Sequence, residues 1–184
     1  HSFEKQYIDK NLNRQVSTED INKYYQDKSD NFLLKQNIIK CMFVQTPKTA
    51  PNLNQFRRNF RAYPDGNQED LYSYITQFSS KSYVEDSTWV IFDELIYGTP
   101  LETLQDKKQF LTKNTYSETS DSEYIYFLKI FDYKISEEIS PLEFIKEDIE
   151  NIIINKRKIA LKKELEETIY EQAERNKEFE IYNN

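Results

Sequence analysis

Histidine is almost missing from this sequence: His1, at the terminus, is the only one. Cysteine is limited to Cys41, and glycine to Gly66 and Gly98. Each scarcity excludes a kind of chemistry. With no histidine in its body, the chain has no Ser-His-Asp triad, no Cys-His pair and no imidazole general base. One cysteine permits neither an internal disulfide nor a thiolate zinc cluster, and two distant glycines cannot build a phosphate-cradling loop. No metal and no cofactor are expected. No apolar run approaches the ~20 residues a membrane span requires, and the first residues lack the charged-then-apolar pattern of a secretory signal. Cations are in deficit, with 25 Lys and Arg against 32 Asp and Glu, for a net charge of -7. That balance argues against a nucleic-acid partner, because phosphate contacts need a surplus of basic side chains on one face.

Aromatic residues are plentiful, with 14 Tyr, 12 Phe and one Trp. Such side chains supply large contact area with few rotatable bonds, which suits a surface that holds extended peptides. They serve equally to fill the core of a glycine-poor domain. At 184 residues the chain can bury a sizeable core as one domain, or as a domain with a substantial appendage.

Helix signals are clear at two places. In 16–21, VSTEDI, Ser17 stands at a cap position, Asp20 lies three residues on, and Val16 and Ile21 are placed as a hydrophobic staple, which predicts a helix over 18–28. In 139–144, ISPLEF, Ser140 caps, Pro141 takes the first helical position, Glu143 completes the box and Ile139 pairs with Phe144. No breaker follows until about residue 176, so a long helix is expected that must pack on an N-terminal helix, a missing segment or a partner. A further helical piece is read over 3–14.

Between these lie a strand over 35–45, KQNIIKCMFVQ, ended by Pro47, and a helix carrying Leu53, Phe56, Phe60 and Tyr63 at spacings of three and four. The turn PDGN and a second helix with Leu71, Tyr74, Ile75 and Phe78 follow. Residues 88–96 read as a short strand turning helical near Asp93. Residues 101–121 read as one short turn and a polar link. The stretch 122–134, SEYIYFLKIFDYK, reads as a strand. The fold class is therefore α+β, a small antiparallel sheet with helices, bracketed by an N-terminal helix and a long C-terminal helix. Its divisions are 1–32, 33–136 and 137–184.

The order VSTEDINKYYQDKSDNFLL, IIKCMFVQT, two helices, YIYFLKIFDYK and a long helix ending ERNKEFEIY resembles the parvulin-type peptidyl-prolyl isomerases of the bacterial cell envelope, the SurA and PrsA kind. Ser17 through Phe32 resemble the family's entry segment, Phe127 through Asp132 its last parvulin strand, and Phe179-Glu180-Ile181 the short apolar strand that returns into the chaperone module. The family's usual N-terminal helices are shortened or absent, so a longer parent protein is expected. The family carries one active-site histidine on its first strand and one on its last. Here Cys41 and Tyr126 stand at those positions, and the "G-D-L-G" turn is replaced by EDSTWVIFDEL.

The resemblance implies a parvulin-like domain over 33–136 within a helical chaperone module. It implies a periplasmic or lipid-anchored envelope setting and unfolded or translocating polypeptide clients, whereas the expectation of a homodimer through the C-terminal helix comes from that helix's length. Met42, Trp89, Phe92 and Tyr124 are the candidates for a substrate groove. Because proline isomerisation twists an amide without a nucleophile, losing both histidines does not by itself forbid it. Three functions stay open: a polypeptide-binding chaperone with weak or no isomerase activity, an active isomerase with a rearranged site around Cys41 and Tyr126, and a non-catalytic assembly subunit that docks through its long helix.

Overall fold

The computed structural model describes residues 2–181, with side chains from 3 to 177. The fold is α+β, with seven α-helices and one five-stranded antiparallel sheet among the described residues. It divides into two compact units, one of His1–Asn31 together with Pro141–Asn184, the other of Phe32–Ser140.

The first unit is helical: α1 (Ser2–Asn11), α2 (Thr18–Lys28) and, from the far end of the chain, α7 (Leu142–Ile181). Ser17 caps α2 as the sequence predicts, its hydroxyl accepting from the Asp20 backbone N–H at 3.0 Å. The 40 residues of α7 extend for about 60 Å at 1.5 Å per residue. Part of that length is packed by the N-terminal helices. Ile8, Ile21 and Leu165 are buried. Arg157 donates to the Gln15 carbonyl at 2.6 Å and the Asp20 carboxylate at 3.0 Å, and Lys162 pairs with Glu4 at 3.1 Å. The short strand expected at Phe179–Ile181 is not formed. The backbone stays helical through Ile181, since no glycine or proline interrupts 142–181.

The second unit holds β1 (Ile38–Pro47), α3 (Leu53–Ala62), α4 (Gln68–Phe78), β2 (Lys81–Tyr83), β3 (Val90–Ile91), α5 (Phe92–Ile96), α6 (Lys107–Lys113), β4 (Tyr116–Ser120) and β5 (Tyr124–Lys134). The strand order is β2-β1-β5-β4, with β3 pairing the start of β1. Strands β1 and β5 run side by side from Ile38↔Lys134 to Pro47↔Tyr124. The register shifts between Lys40 and Cys41, so that Phe131 lies between the pairs Lys40↔Asp132 and Cys41↔Ile130, a bulge that bends the strand.

Both faces of this sheet are covered, which explains why CMFV is a continuous apolar run rather than an alternating one. Cys41, Phe43, Tyr126, Leu128 and Ile130 pack with Phe92, Leu95, Ile96, Leu101 and Leu111 on one face. Met42, Val44 and Phe127 pack with Phe56, Phe60, Leu71 and Ile75 of α3 and α4 on the other.

Three elements differ from the sequence reading. The polar link before β5 contains a helix, α6, and an edge strand, β4. A third element, β2, follows α4. Tyr116, Ser117, Glu118, Thr119 and Ser120 form a strand because each pairs a residue of β5, from Tyr116↔Lys129 to Ser120↔Ile125. Their polar character is that of a sheet edge.

Candidate functional site

Cys41 and Tyr126, the residues at the two histidine positions, sit on neighbouring strands and on the same face of the sheet, but do not meet. Cys41 lies opposite Ile130, and Tyr126 opposite Gln45. Four residues of β5 therefore separate the two positions, about 13 Å of strand. The pair Phe43↔Leu128 occupies the space between them, with the Phe43 ring centroid 6.4 Å from that of Tyr126.

Cys41 has none of its surface exposed. Burial pushes its thiol up to about 12, so it is protonated and unreactive at neutral pH. Tyr126 is also buried, and its hydroxyl donates to the Asp121 carboxylate. Burial first, and then this bond, raise the Tyr126 hydroxyl to about 12. Asp121 in turn accepts from the backbone N–H groups of Glu123 at 2.9 Å and Tyr124 at 2.8 Å, which closes the turn between β4 and β5. Its carboxyl is held below the usual range, most by Tyr126 and then by those two N–H groups. The tyrosine at the second histidine position is thus a clamp on a hairpin.

The four groove candidates do not gather. Met42 points to the α3 and α4 face, away from Cys41. Phe92 is completely buried under the opposite face, stacked on Phe110 at 5.9 Å. Trp89 is buried, with the Lys40 ammonium 4.9 Å from its ring centroid. Tyr124 is half-buried and lies 6.4 Å from Tyr126 between ring centroids. They form parts of a core rather than the walls of an opening.

Two open features on α3 were not foreseen. Along one side of the helix Arg57 makes a forked ion pair with Glu118 of β4, at 2.8 Å through Nε and 2.7 Å through Nη2. Tyr116 donates to the same carboxylate at 3.0 Å, and the Arg61 guanidinium lies over the Tyr116 ring at 4.6 Å. The Arg57 hydrogen bond is the largest influence holding the Glu118 carboxyl below its ordinary value. These contacts tie the edge strand to the helix.

On its other side α3 parts from α4 over a groove of about 170 Å³, bordered by Asn52, Gln55, Asn59, Asp70, Ser73 and Gln77. The rings of Phe56, Tyr74 and Phe78 floor it, with centroids 4.4 Å apart for Phe56 and Tyr74 and 4.9 Å for Tyr74 and Phe78. The apolar stripe of α3 is legible in the sequence. The second stripe, Asn52, Gln55 and Asn59 at spacings of three and four, is the signal that could have located the groove.

Among the described residues no helix is long and apolar enough to cross a membrane, and no three His, Cys, Asp or Glu side chains are gathered as a metal ion would need. Comparison with protein-family models, with characterised proteins and with solved structures finds no match for this chain.

Proposed function

We propose that this chain is a polypeptide-binding chaperone of the cell envelope, related to the SurA and PrsA kind of parvulin protein, in which the isomerase centre has become scaffold. Its setting is periplasmic or lipid-anchored, and its clients are unfolded or translocating polypeptides. What supports the family reading is the adjacency of β1 and β5, the strands that would carry the two histidines, with two helices between β1 and the rest of the sheet. The observation that carries the loss of catalysis is the fate of the two positions. Cys41 is sealed in the core, and Tyr126 is committed to Asp121.

Twisting a prolyl amide requires a desolvated groove that receives the ring, with hydrogen bonds tuned to the twisted state. Cys41, Met42 and Phe92 expose no surface that could line one, so an active isomerase with a rearranged site is the weaker reading.

Aggregation of a chemically unfolded client, followed by light scattering, tests the proposal. The chain slows aggregation at equimolar concentration if the reading holds, and no effect at a several-fold molar excess would refute it.

A second reading, an assembly subunit or homodimer joined through α7, is favoured by the apolar residues that helix exposes: Ile159 at 68%, Ile169 at 49% and Tyr170 at 64%. Sedimentation equilibrium separates the two readings. A strict monomer at all concentrations removes the homodimer, whereas a dimer dispersed by Ile159→Glu or Ile169→Glu supports it.

A further inference from the structure

We propose that the groove between α3 and α4 binds an uncharged, extended stretch of polypeptide through its main chain, an inference that rests on the polypeptide-binding reading above. Three properties of the groove select this ligand.

The first is the chemistry of the rim. Asn52, Gln55, Asn59 and Gln77 border the opening, and each primary amide offers a carbonyl acceptor and two N–H donors. That combination matches a peptide group, which presents one donor and one acceptor of its own. The side chains of Asn52, Gln55 and Asn59 make no hydrogen bond among the described residues. Gln77 donates to Ser73 Oγ at 2.9 Å, and its carbonyl oxygen accepts no hydrogen bond among the described residues. Asn52 and Asn59 stand seven residues apart, about 10 Å along the helix. Three residues of an extended chain cover the same distance.

The second is charge. No lysine or arginine lines the groove, so no cation there offsets the desolvation of a phosphate or carboxylate. Its one acid, Asp70, accepts from Asn67 Nδ2 at 2.8 Å at the start of α4 and would repel an acidic segment.

The third is the floor. Buried Phe56 backs the half-buried ring of Tyr74 by stacking on it, and Phe78 lies tilted beside Tyr74, so Tyr74 and Phe78 offer the apolar surface on which a flat side chain lies well. The volume of about 170 Å³ equals the share of roughly six water molecules in the liquid. It falls below the roughly 300–1,000 Å³ of a typical small-molecule or cofactor pocket. One side chain and its peptide group fit, and the rest of the strand would run along the helices. Main-chain recognition with one apolar anchor accepts many sequences, as a client-tolerant protein must.

Fluorescence anisotropy with the whole chain tests this. The probes are a fluorescein-labelled octapeptide of Ala, Phe and Ser, the same peptide N-methylated at alternate main-chain amides, its counterpart with Asp in place of Ser, and a labelled malto-oligosaccharide. The proteins are wild type, the double variant Gln55→Ala/Asn59→Ala on α3, and Gln77→Ala on α4. Circular dichroism and an unchanged urea midpoint establish that each variant is folded, and two helices supply independent variants.

The neutral octapeptide is expected to bind, with N-methylation and each variant weakening it about fivefold for every hydrogen bond lost. The Asp peptide is expected to bind less well than the neutral one. Equal binding of the N-methylated and unmodified peptides, or binding unaltered in both variants, would overturn the groove while leaving polypeptide binding intact elsewhere on the chain. Failure of every peptide would remove the polypeptide-binding reading and the groove together. Oligosaccharide binding that is lost in the variants, with no peptide bound, would overturn the inference in favour of a saccharide site.

Discussion

Replacing Cys41 with histidine tests the centre of the sheet by returning the missing group. If the position were the remnant of an open site, Cys41→His would be well tolerated. The geometry predicts otherwise. Cys41 is completely buried, facing Ile130 across the ladder and packed in the cluster that includes Ile39, Phe43, Phe92 and Leu128. An imidazole is much larger than a thiol, and overpacking a filled core costs about 1–3 kcal/mol. The ring also brings a donor and an acceptor into an apolar environment, and leaving these unpaired costs about 1–3 kcal/mol more. The sum, about 2–6 kcal/mol, is a large fraction of the roughly 5–15 kcal/mol that holds a native domain. Its pH dependence has a definite sign. Burial lowers the pKa of the introduced imidazole below the ~6.5 of an exposed one, so in acid the unfolded state takes up the proton first. Stability of the variant relative to wild type therefore rises as pH increases through the lowered folded value to ~6.5, and is flat above it. Wild type has no such dependence from Cys41, whose thiol titrates at about 12. Urea unfolding followed by tryptophan fluorescence at several pH values measures both effects. A variant with the wild-type midpoint, carrying a histidine that titrates near ~6.5, would refute the claim that the position is closed.

Other substitutions test the supporting contacts. Tyr126→Phe removes the hydroxyl that Asp121 accepts, and is expected to lower the melting temperature at pH 7. Because the folded-state pKa of Asp121 is depressed, its contribution is present above the unfolded value of ~3.9 and fades as pH falls through the folded value. The gap between variant and wild type should close in acid, and a gap independent of pH would contradict the assignment. Arg57→Met breaks the forked pair with Glu118, whose side chains are 27% and 24% exposed. A loss of about 1–2 kcal/mol in urea unfolding is expected, as for a charge-assisted, part-buried bond, and none would show that β4 needs no tie to α3. Lys129→Met removes an ammonium that donates to the carbonyls of Arg61 and Tyr63 at the end of α3. It should cost about 1–2 kcal/mol and speed hydrogen exchange in the last turn of that helix, and unchanged exchange there would count against the cap.

Much of the fold is legible in the sequence where local signals and tertiary packing agree. Ser17 predicts the start of α2, and Leu53, Phe56 and Phe60 predict the buried stripe of α3, because spacing alone defines these features. The apolar run at 38–44 reads as a strand for the same reason. The edge strand β4 is not legible. Tyr116 through Ser120 carry the polar residues of a link, and only pairing with β5 makes them a strand. The short β2 is likewise set by Gln45, Val44 and Phe43 across the ladder. At Phe179 the resemblance suggests a strand, but with no glycine or proline to interrupt it α7 runs on to Ile181. At the centre, the sequence locates Cys41 and Tyr126 on neighbouring strands but not their offset, because a ladder register depends on both strands and on the bulge at Phe131. Met42 cannot share a groove with Cys41, because successive strand residues point to opposite faces. The amide-lined groove is not legible from apolar periodicity, because its border is the polar stripe of α3 (Asn52, Gln55 and Asn59).

We propose that β1 and β5 form a filled scaffold in which no prolyl amide is twisted. The most direct test is the isomerisation rate of a labelled Ala-Pro-Phe peptide, measured by NMR exchange spectroscopy with increasing amounts of the intact chain. The predicted rate is that of the peptide alone at every protein concentration. A rate that climbs in proportion to the protein and falls back in Tyr126→Phe would contradict it.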